Sequence, residues 1–532
     1  MYARFLTATA LALLGTASLA AAATPPDTLV VADKIDDIVS LDPAESFEFS
    51  GNDALNNVYD TLIALDPKND FALVPGLAES WAVSEDGKTY TFKMREGVVS
   101  HAGNPMDATD AAWSLQRAVK LDKTPSFILT QFGFTPDNVD GMIKATDART
   151  LQITTDKAYA PSFFYNILTA VVASIVDQEE ATAHEADGDF GYEWLKTHSA
   201  GSGAFTLRAW KPNDSIILEA PDHPYWRGDV AMKRVFVRHV PELATQRLLL
   251  ERGDVDVARR LTPNDIEAVR NNPDLKVQDE QRGRIFYVAM NEKVEELAKP
   301  KVIEAIKYLI DYEGIAGTIK KYQATPHQTF LPVGFLGAID DRPYSLDVEK
   351  AKGLLKEAGY PDGFEVEFLV RNDPDRLEIA QSIQNTLGQG GIKANIKSGT
   401  GKEILGDFRA RTHQLILESW GPDYPDPQTN ADTFARNPDN SDAANATGLL
   451  AWRTAYPAET TTPMVNAAVL EKDTGKRARM YEEMQRIHQK EAPFAELFQE
   501  VETTGVQKGV DGFTVGGAVA SAFYWPTTKA AE

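Results

Sequence analysis

The sequence predicts an α/β protein that contains a parallel sheet with covering helices. Three observations in the later half of the chain support this fold class. Residues 364–368 alternate apolar and polar side chains, residues 379–387 repeat apolar side chains at helical spacing, and residues 392–396 alternate again. A strand–helix–strand unit of this kind places its two strands parallel, because the helix supplies the long crossover that a parallel pair needs.

Further elements around this unit follow the same periodicities. Residues 302–310 and 348–358 repeat apolar side chains at helical spacing, and Gly359 is a natural end for the second helix. Residues 414–420 are mostly apolar and predict one more buried strand.

The first 240 residues show two β-hairpins. Residues 81–83 and 90–94 flank a turn that contains Asp86-Gly87, a dipeptide typical of tight hairpin turns. Residues 205–210 and 216–219 flank a second turn at 212–214. We expect strand pairs of this kind to dominate this part of the chain.

The N-terminus has the pattern of a secretory signal peptide. A short segment with the charged Arg4 precedes an apolar stretch over residues 5–19, which small alanines at 20–23 follow. A membrane anchor is the alternative, but an anchor needs about 20 strongly apolar residues, and this stretch is rich in alanine and threonine. We expect cleavage after Ala22 or Ala23 and release into the periplasm.

Composition excludes several classes of protein. The chain has no cysteine, so it has no thiolate nucleophile, cysteine-bound zinc or iron–sulfur cluster, and no lipid-bearing cysteine after the signal. Its net charge of −24 opposes non-specific binding to nucleic acid or to an anionic membrane surface. The length favours two or three structural domains, and the eight histidines show no metal-type spacing.

Two predicted strands end in residues suited to a ligand. Arg371 follows the strand that ends at Val370, and Gly421 and Asp423 follow the strand that ends at Trp420. In open α/β sheets, ligands bind outside the carboxyl ends of the strands. A cation and an anion at such ends would suit a zwitterion with separated amino and carboxylate groups.

Several motifs resemble a known family. In chain order they are Pro75-Gly76-Leu77-Ala78-Glu79-Ser80-Trp81 and its continuation to Val98, then residues 101–110, 201–205, 224–228, 351–360 and 420–427. Together they resemble extracellular solute-binding proteins of family 5, which include the dipeptide- and oligopeptide-binding components of ABC importers. The matches span most of the chain in the order found in the family.

The resemblance implies a two-lobed periplasmic-binding-protein fold with a hinge and an extra domain on the first lobe. After a signal peptide at residues 1–23, the first lobe would combine residues 24–63, 200–285 and 500–532. The extra domain would span residues 64–199, and the second lobe residues 286–499.

The resemblance also implies roles for individual residues. Asp423 would bind the α-ammonium of a peptide. From its local sequence alone, the interpretation is an aspartate in a turn. Arg371 would hold the ligand carboxylate, although it aligns only across a one-residue gap, and the alternative is a solvated strand-end arginine. Trp420 and Gly421 would lie at the cleft, and Phe47 and Glu48 belong to a first-lobe loop that resembles a ligand-contacting segment.

We therefore expect a monomeric binding protein without cofactor or metal that delivers a short peptide to an inner-membrane ABC permease. The same fold could instead bind an opine, an oligosaccharide, a nickel chelate or haem, because a fold does not determine its ligand. A periplasmic hydrolase with paired carboxylates is the alternative from another class, but the sequence contains no recognisable catalytic motif.

Overall fold

The computed structural model describes residues 24–69, 71–517 and 521–530. The predicted signal peptide, residues 1–23, lies outside the described residues. The strands are β1 (Thr28–Asp33), β2 (Ile63–Asp66), β3 (Ala72–Pro75), β4 (Ala78–Val83), β5 (Thr89–Met94), β6 (Ile143–Asp147), β7 (Thr150–Thr154), β8 (Thr206–Lys211), β9 (Ser215–Glu219), β10 (Arg234–His239), β11 (Val257–Ala258), β12 (Leu275–Met290), β13 (Ala324–Pro326), β14 (Phe364–Arg371), β15 (Ile392–Gly399), β16 (Leu415–Trp420), β17 (Phe494–Gln507), β18 (Val510–Asp511), β19 (Thr514–Gly516), β20 (Ser521–Phe523) and β21 (Thr528–Lys529).

The helices are distributed along the whole described chain. They are α1 (Phe49–Val58), α2 (Ala108–Leu121), α3 (Phe127–Thr130), α4 (Val139–Met142), α5 (Pro161–Ile167), α6 (Gln178–Ala183), α7 (Tyr192–Leu195), α8 (Leu243–Glu251), α9 (Pro263–Asn271), α10 (Pro300–Tyr308), α11 (Tyr312–Gly314), α12 (Val348–Glu357), α13 (Pro374–Gln389), α14 (Gly401–Arg409), α15 (Gln428–Ala435), α16 (Leu450–Arg453), α17 (Thr461–Ala468) and α18 (Thr474–Glu491). Within the described ranges, no helix is long and apolar enough to cross a membrane.

The predicted strand–helix–strand unit is confirmed. Strands β14 and β15 pair in parallel along their full length, with α13 as the crossover, and β16 pairs in parallel with β14 on its other side. The helices predicted at 302–310 and 348–358 are α10 and α12. The α/β fold class predicted from these elements is therefore correct.

Both predicted hairpins are also present, as the antiparallel pairs β4–β5 and β8–β9. The expectation that strand pairs dominate the first 240 residues omitted several helices, of which α2 is the longest. This helix has a clear start, because the Asp107 side chain accepts from the Thr109 amide and Asp110 completes a capping box. Its apolar face, with Leu115 and Val119 fully buried, has the spacing of an amphipathic helix.

One large mixed sheet runs through the molecule in the order β15-β14-β16-β12-β17-β11-β1-β10-β9-β8, with β13 also paired to β17. The two longest strands, β12 and β17, lie side by side at its centre. Their register shifts between Gln281 and Ile285, so residues 282–284 interrupt the ladder in the middle of both strands. A separate sheet of β4, β5, β6 and β7 packs its apolar face on α2 and α5.

Candidate functional site

The loop that contains Asp423 connects the central strand β16 to helix α15. Strand β16 ends at Trp420, Gly421 and Asp423 follow, and α15 begins at Gln428. The Asp423 amide donates a hydrogen bond to the Thr429 hydroxyl over 3.1 Å. The loop is therefore closed against the first turn of the helix that follows it.

A buried carboxylate supports the beginning of this loop. Glu418 is 1 % exposed on β16, and its Oε1 accepts a hydrogen bond from Arg371 Nε over 2.6 Å. Its Oε2 accepts one from Arg376 Nη1 over 3.2 Å, and Arg376 Nη2 also donates to the Ser419 hydroxyl over 2.9 Å. Two guanidinium groups thus hold the end of the strand immediately before Trp420.

A second buried ion pair supports the end of the loop. Arg477 on α18 donates two parallel hydrogen bonds to the Asp426 carboxylate, of 2.8 and 2.6 Å, and both side chains are fully buried. Asn166 donates a further hydrogen bond to Asp426 over 3.2 Å. Bidentate pairs of this kind fix geometry as well as charge, so the loop is rigidly held on both sides of Asp423.

Asp423 lines a narrow cavity of about 40 Å³. Residues from distant parts of the chain, including Ser46, Phe47, Thr169 and Ser521, line the same cavity. Burial raises the pKa of Asp423 to about 7, and a hydrogen bond from the Thr429 side chain to its carboxyl group opposes this only in part. Asp423 forms no ion pair with any residue that the structure describes, so this partly buried carboxylate has no counter-ion of its own.

Phe47 and Glu48 lie in the loop before helix α1. Phe47 lines the cavity of Asp423, and its ring meets Phe127 edge to face at a centroid distance of 5.9 Å. Glu48 precedes the first residue of α1 and accepts a hydrogen bond from the Phe47 amide over 3.2 Å. The segment thus contributes an aromatic wall at Phe47, whereas Glu48 is engaged with its own loop.

A second and much larger cavity of about 700 Å³ adjoins the same loop. Gly421 and Pro422 line it, together with residues of β12 and β17 and the beginning of α13. A side chain at Gly421 would place its Cβ 3.1 Å from Cζ of Phe49, so this position brings the loop close to the first residue of α1. Small-molecule sites commonly enclose roughly 300–1,000 Å³, so this cavity is large enough for a ligand of that kind.

The structure therefore brings together only some of the residues singled out from the sequence. Asp423 and Phe47 line the narrow cavity and Gly421 lines the large one, whereas Arg371, Trp420 and Glu48 line neither. Trp420 packs against the apolar core beside β16, and its Nε1 is buried without a hydrogen-bond partner in the described part of the chain.

Sequence reasoning missed other residues of the walls. Thr169 and Ser521 reach the narrow cavity from loops and strands with no motif of their own, so nothing in the sequence marks them. Phe49 could have been found, because it lies in the same short segment as Phe47 and Glu48. Among the described residues, no group of three or more His, Cys, Asp or Glu side chains could hold a metal ion.

Comparison with known proteins gives a consistent picture. The model of the family "Bacterial extracellular solute-binding proteins, family 5 Middle" matches residues 72–442. The chain is 27% identical over 501 residues to the probable D,D-dipeptide-binding periplasmic protein of Escherichia coli K12, with 93% of each chain covered. It is 28% identical over 506 residues to heme-binding protein A of Haemophilus influenzae, with 89% of this chain and 87% of that protein covered.

A solved structure extends the likeness to three dimensions. The ABC transporter-associated periplasmic binding protein of Helicobacter pylori, solved in complex with the peptide STSA, superposes with a TM-score of 0.75 at 25% identity. The match covers 94% of this chain and 98% of that protein. The two-lobed α/β fold expected from the motifs is confirmed by this match.

Proposed function

This chain belongs to family 5 of the bacterial extracellular solute-binding proteins, and on that basis we propose that it captures a short peptide by its free amino terminus. Members of this family are periplasmic or extracellular proteins that bind solutes. The family is a solute-binding one and not a catalytic one. The members that serve ABC importers of peptides bind the peptide and work together with a membrane permease. For this chain, the proposed partner is an inner-membrane ABC permease and the proposed state is a monomer.

Asp423 is the observation that carries the proposal. Its carboxylate lies partly buried at a cavity wall, forms no ion pair with the described residues, and has a pKa raised to about 7 by burial. An arriving α-ammonium would supply the missing counter-ion and restore the ionised form. Charge-assisted hydrogen bonds of this kind contribute about 1.5–3 kcal/mol.

The two cavities suit a ligand that extends beyond its amino group. The narrow one accommodates little more than the ammonium and its first atoms, whereas the cavity of about 700 Å³ begins at Gly421, two residues from Asp423. A chain of a few residues could occupy the larger space. In the proposal, Phe47 forms the apolar wall beside the ammonium, and Trp420 and Glu48 support the surrounding loops.

We propose the following division of the chain. Residues 24–63, 200–285 and 500–532 form the first lobe, residues 64–199 the extra domain, and residues 286–499 the second lobe. Ile285 pairs with Gln499 across β12 and β17. The two points at which the chain would pass from one proposed lobe to the other therefore lie side by side. The interrupted register at residues 282–284 is a natural place for the hinge between the lobes.

Export is the next element of the proposal. Residues 1–23 would direct secretion and be removed by cleavage after Ala22 or Ala23. The intact mass of the protein purified from a periplasmic extract should then correspond to a chain that begins at Ala23 or Thr24. A full-length species found only in the membrane fraction would contradict this.

Mass spectrometry of the ligand that co-purifies with the native protein tests the proposed function. The expected species is a peptide of a few residues with a free amino group. Haem, a sugar or an opine in its place would overturn peptide capture and leave the solute-binding fold intact.

A further inference from the structure

Two arginines flank the point where the central strands lose their register. Arg282 and Arg284, on either side of Gly283, lie in the segment of β12 where the ladder with β17 is interrupted. Both line the cavity of about 700 Å³. Residues 282–284 thus lie outside the regular ladder with β17 and form part of the wall of this cavity.

The hydrogen-bonding capacity of Arg284 is largely unused. Its one ion pair with a described residue is to Glu500 at 3.5 Å, and its side chain is 32% exposed. The guanidinium stacks on the ring of Phe49, 5.0 Å from the ring centroid. Stacking uses the face of the guanidinium, so the N–H groups at its edge remain available to a ligand oxygen.

Arg282 provides a second positive charge beside it. Its side chain is 5% exposed, and its Nη2 lies 3.3 Å from Glu502. Its Nη1 is buried and has no hydrogen-bond partner among the residues that the structure describes. The neighbouring acids are already held by Arg259, which pairs with Asp53 at 2.5 Å and with Glu502 at 2.8 Å.

The net charge of the cavity does not by itself select an anion, because six basic and seven acidic side chains line it. Selection must come from contact with a particular group. Lys320 is paired with Asp375 at 3.1 Å and Arg260 with Asp33 at 2.8 Å, whereas Arg284 has only its long contact to Glu500. Among the guanidinium groups of this cavity, Arg284 is therefore the one best placed to take a new partner, since Arg259 and Arg260 are closely paired and Arg282 is only 5% exposed.

The loop of Asp423 and the guanidinium of Arg284 approach the same aromatic ring. Phe49 lies under Arg284, and Gly421 lies so close to Phe49 that a Cβ there would be 3.1 Å from its Cζ. Gly421 and Arg284 line the same large cavity, so a ligand whose ammonium binds Asp423 and whose chain extends past Gly421 would enter the space that Arg284 lines. Arg371 lines neither cavity and donates to the buried Glu418 instead.

We propose that Arg284, with Arg282 beside it, binds a carboxylate of the ligand in the large cavity, and that Arg371 is a positioning residue that acts through Glu418. This inference rests on the proposed capture of a peptide. The carboxylate could be the C-terminus of the peptide or an acidic side chain, and both would find the same forked donor.

Calorimetric titration with matched peptides tests the assignment. The set comprises a short peptide with a free carboxyl terminus, its C-terminal amide, and an amide with an aspartate side chain. The unmodified protein should prefer the free acid to the neutral amide by about tenfold to a hundredfold, the range expected for a charge-assisted hydrogen bond. Tight binding of the aspartyl amide would assign the carboxylate to a side chain rather than to the terminus.

The variants separate Arg284 from Arg371. Arg284→Gln should remove the preference for the carboxylate, and Arg284→Lys should retain only part of it, because an ammonium lacks the forked geometry. Arg371→Gln should retain it. Arg208→Gln, at a side chain 70% exposed on β8, controls for the loss of one positive charge and should also retain it.

Two results would overturn the assignment while leaving peptide capture intact. One is a preference that survives Arg284→Gln and disappears in Arg371→Gln. The other is equal affinity of the unmodified protein for all acids and amides that it binds. Failure of every peptide to bind would instead remove the proposed function, and this inference with it.

Discussion

Arg371 and Glu418 are joined by a 2.6 Å hydrogen bond between Nε and Oε1, and the carboxylate in that pair is 1 % exposed. Arg376 is the second partner of the same carboxylate. The group most suited by its sequence position to bind a ligand carboxylate is therefore already bound to a carboxylate of the protein. Through this contact, Arg371 supports the end of β16 and the loop that begins at Gly421.

Glu418→Gln should destabilise the protein, because two largely buried guanidinium groups lose their counter-ion. Removing one partner of a buried pair typically costs about 3–5 kcal/mol. Thermal unfolding followed by circular dichroism should show a clearly lower midpoint. Glu365→Gln, which removes the exposed partner of Lys393, is the matched control and should cost less than about 1 kcal/mol. Similar midpoints for the two variants would show that Glu418 has no supporting role.

The pair of Arg477 with Asp426 predicts a second and separable effect. Arg477→Leu leaves the fully buried Asp426 carboxylate unpaired and should lower stability by about 3–5 kcal/mol. Adding Asp426→Leu should recover part of that loss, because no buried charge remains. Arg486→Leu is the control, since Arg486 and its partner Asp341 are both more than half exposed. A double variant that is less stable than Arg477→Leu alone would show that the unpaired Asp426 carboxylate is not the source of the loss.

The raised pKa of Asp423 predicts a pH-dependent affinity. Below about pH 7 the carboxyl of the free protein takes up a proton, so affinity for a peptide ammonium should fall by up to tenfold per pH unit towards pH 5. Above pH 7 affinity should level off, and it should decline again near the peptide's own amino pKa of about 8. Burial lowers the pKa of His101 to about 4 and of His413 to about 3, so these buried histidines stay neutral in this range.

Calorimetry at several pH values with the unmodified protein and Asp423→Asn measures this directly. The affinity of Asp423→Asn for the peptide should not rise between pH 5 and 7. The ligand-free protein should show the opposite trend in stability. Since Asp423 holds its proton more tightly when folded, the stability contributed by this proton is present below pH 4 and is lost as pH rises to about 7. If the affinity of Asp423→Asn has the same pH dependence as that of the unmodified protein, the titrating group is a residue other than Asp423.

Closure of the lobes on a ligand should make the protein more compact and more stable. A peptide at a hundred times its dissociation constant should stabilise the folded state by about 2.7 kcal/mol. Small-angle scattering should then show a smaller radius of gyration with peptide than without. A bound peptide that raises the melting temperature and leaves the radius unchanged would contradict motion at the interrupted β12–β17 register.

The sequence predicted the elements that depend on local periodicity. Strands β14 and β15 and helix α13 follow from patterns that repeat over a few residues. The position of Asp423 on a cavity wall agrees with a motif shared with a family, and the residues around it did not indicate a cavity by themselves. Its role in binding stays a prediction until a ligand is measured.

What the sequence could not predict depends on register and on distant segments. Arg371 meets Glu418 because Val370 lies opposite Leu417 in the parallel pair of β14 and β16, and no pattern in either strand specifies that register. Arg284 could not be recognised either, because it lies at a local break in the ladder between β12 and β17 that no pattern in the sequence marks. Pairings of this kind arise only when separate parts of the chain have packed.

A four-way calorimetric comparison tests whether Asp423 binds the amino terminus of a peptide. A free peptide and its N-acetylated form are titrated into the unmodified protein and into Asp423→Asn. Acetylation and the substitution should each weaken binding by about 2 kcal/mol or more, about thirtyfold in affinity, and acetylation should cost little once Asp423 is replaced. Equal affinity of the unmodified protein for both peptides, together with a silent Asp423→Asn, would contradict this role of Asp423 and indicate a ligand that is not a peptide.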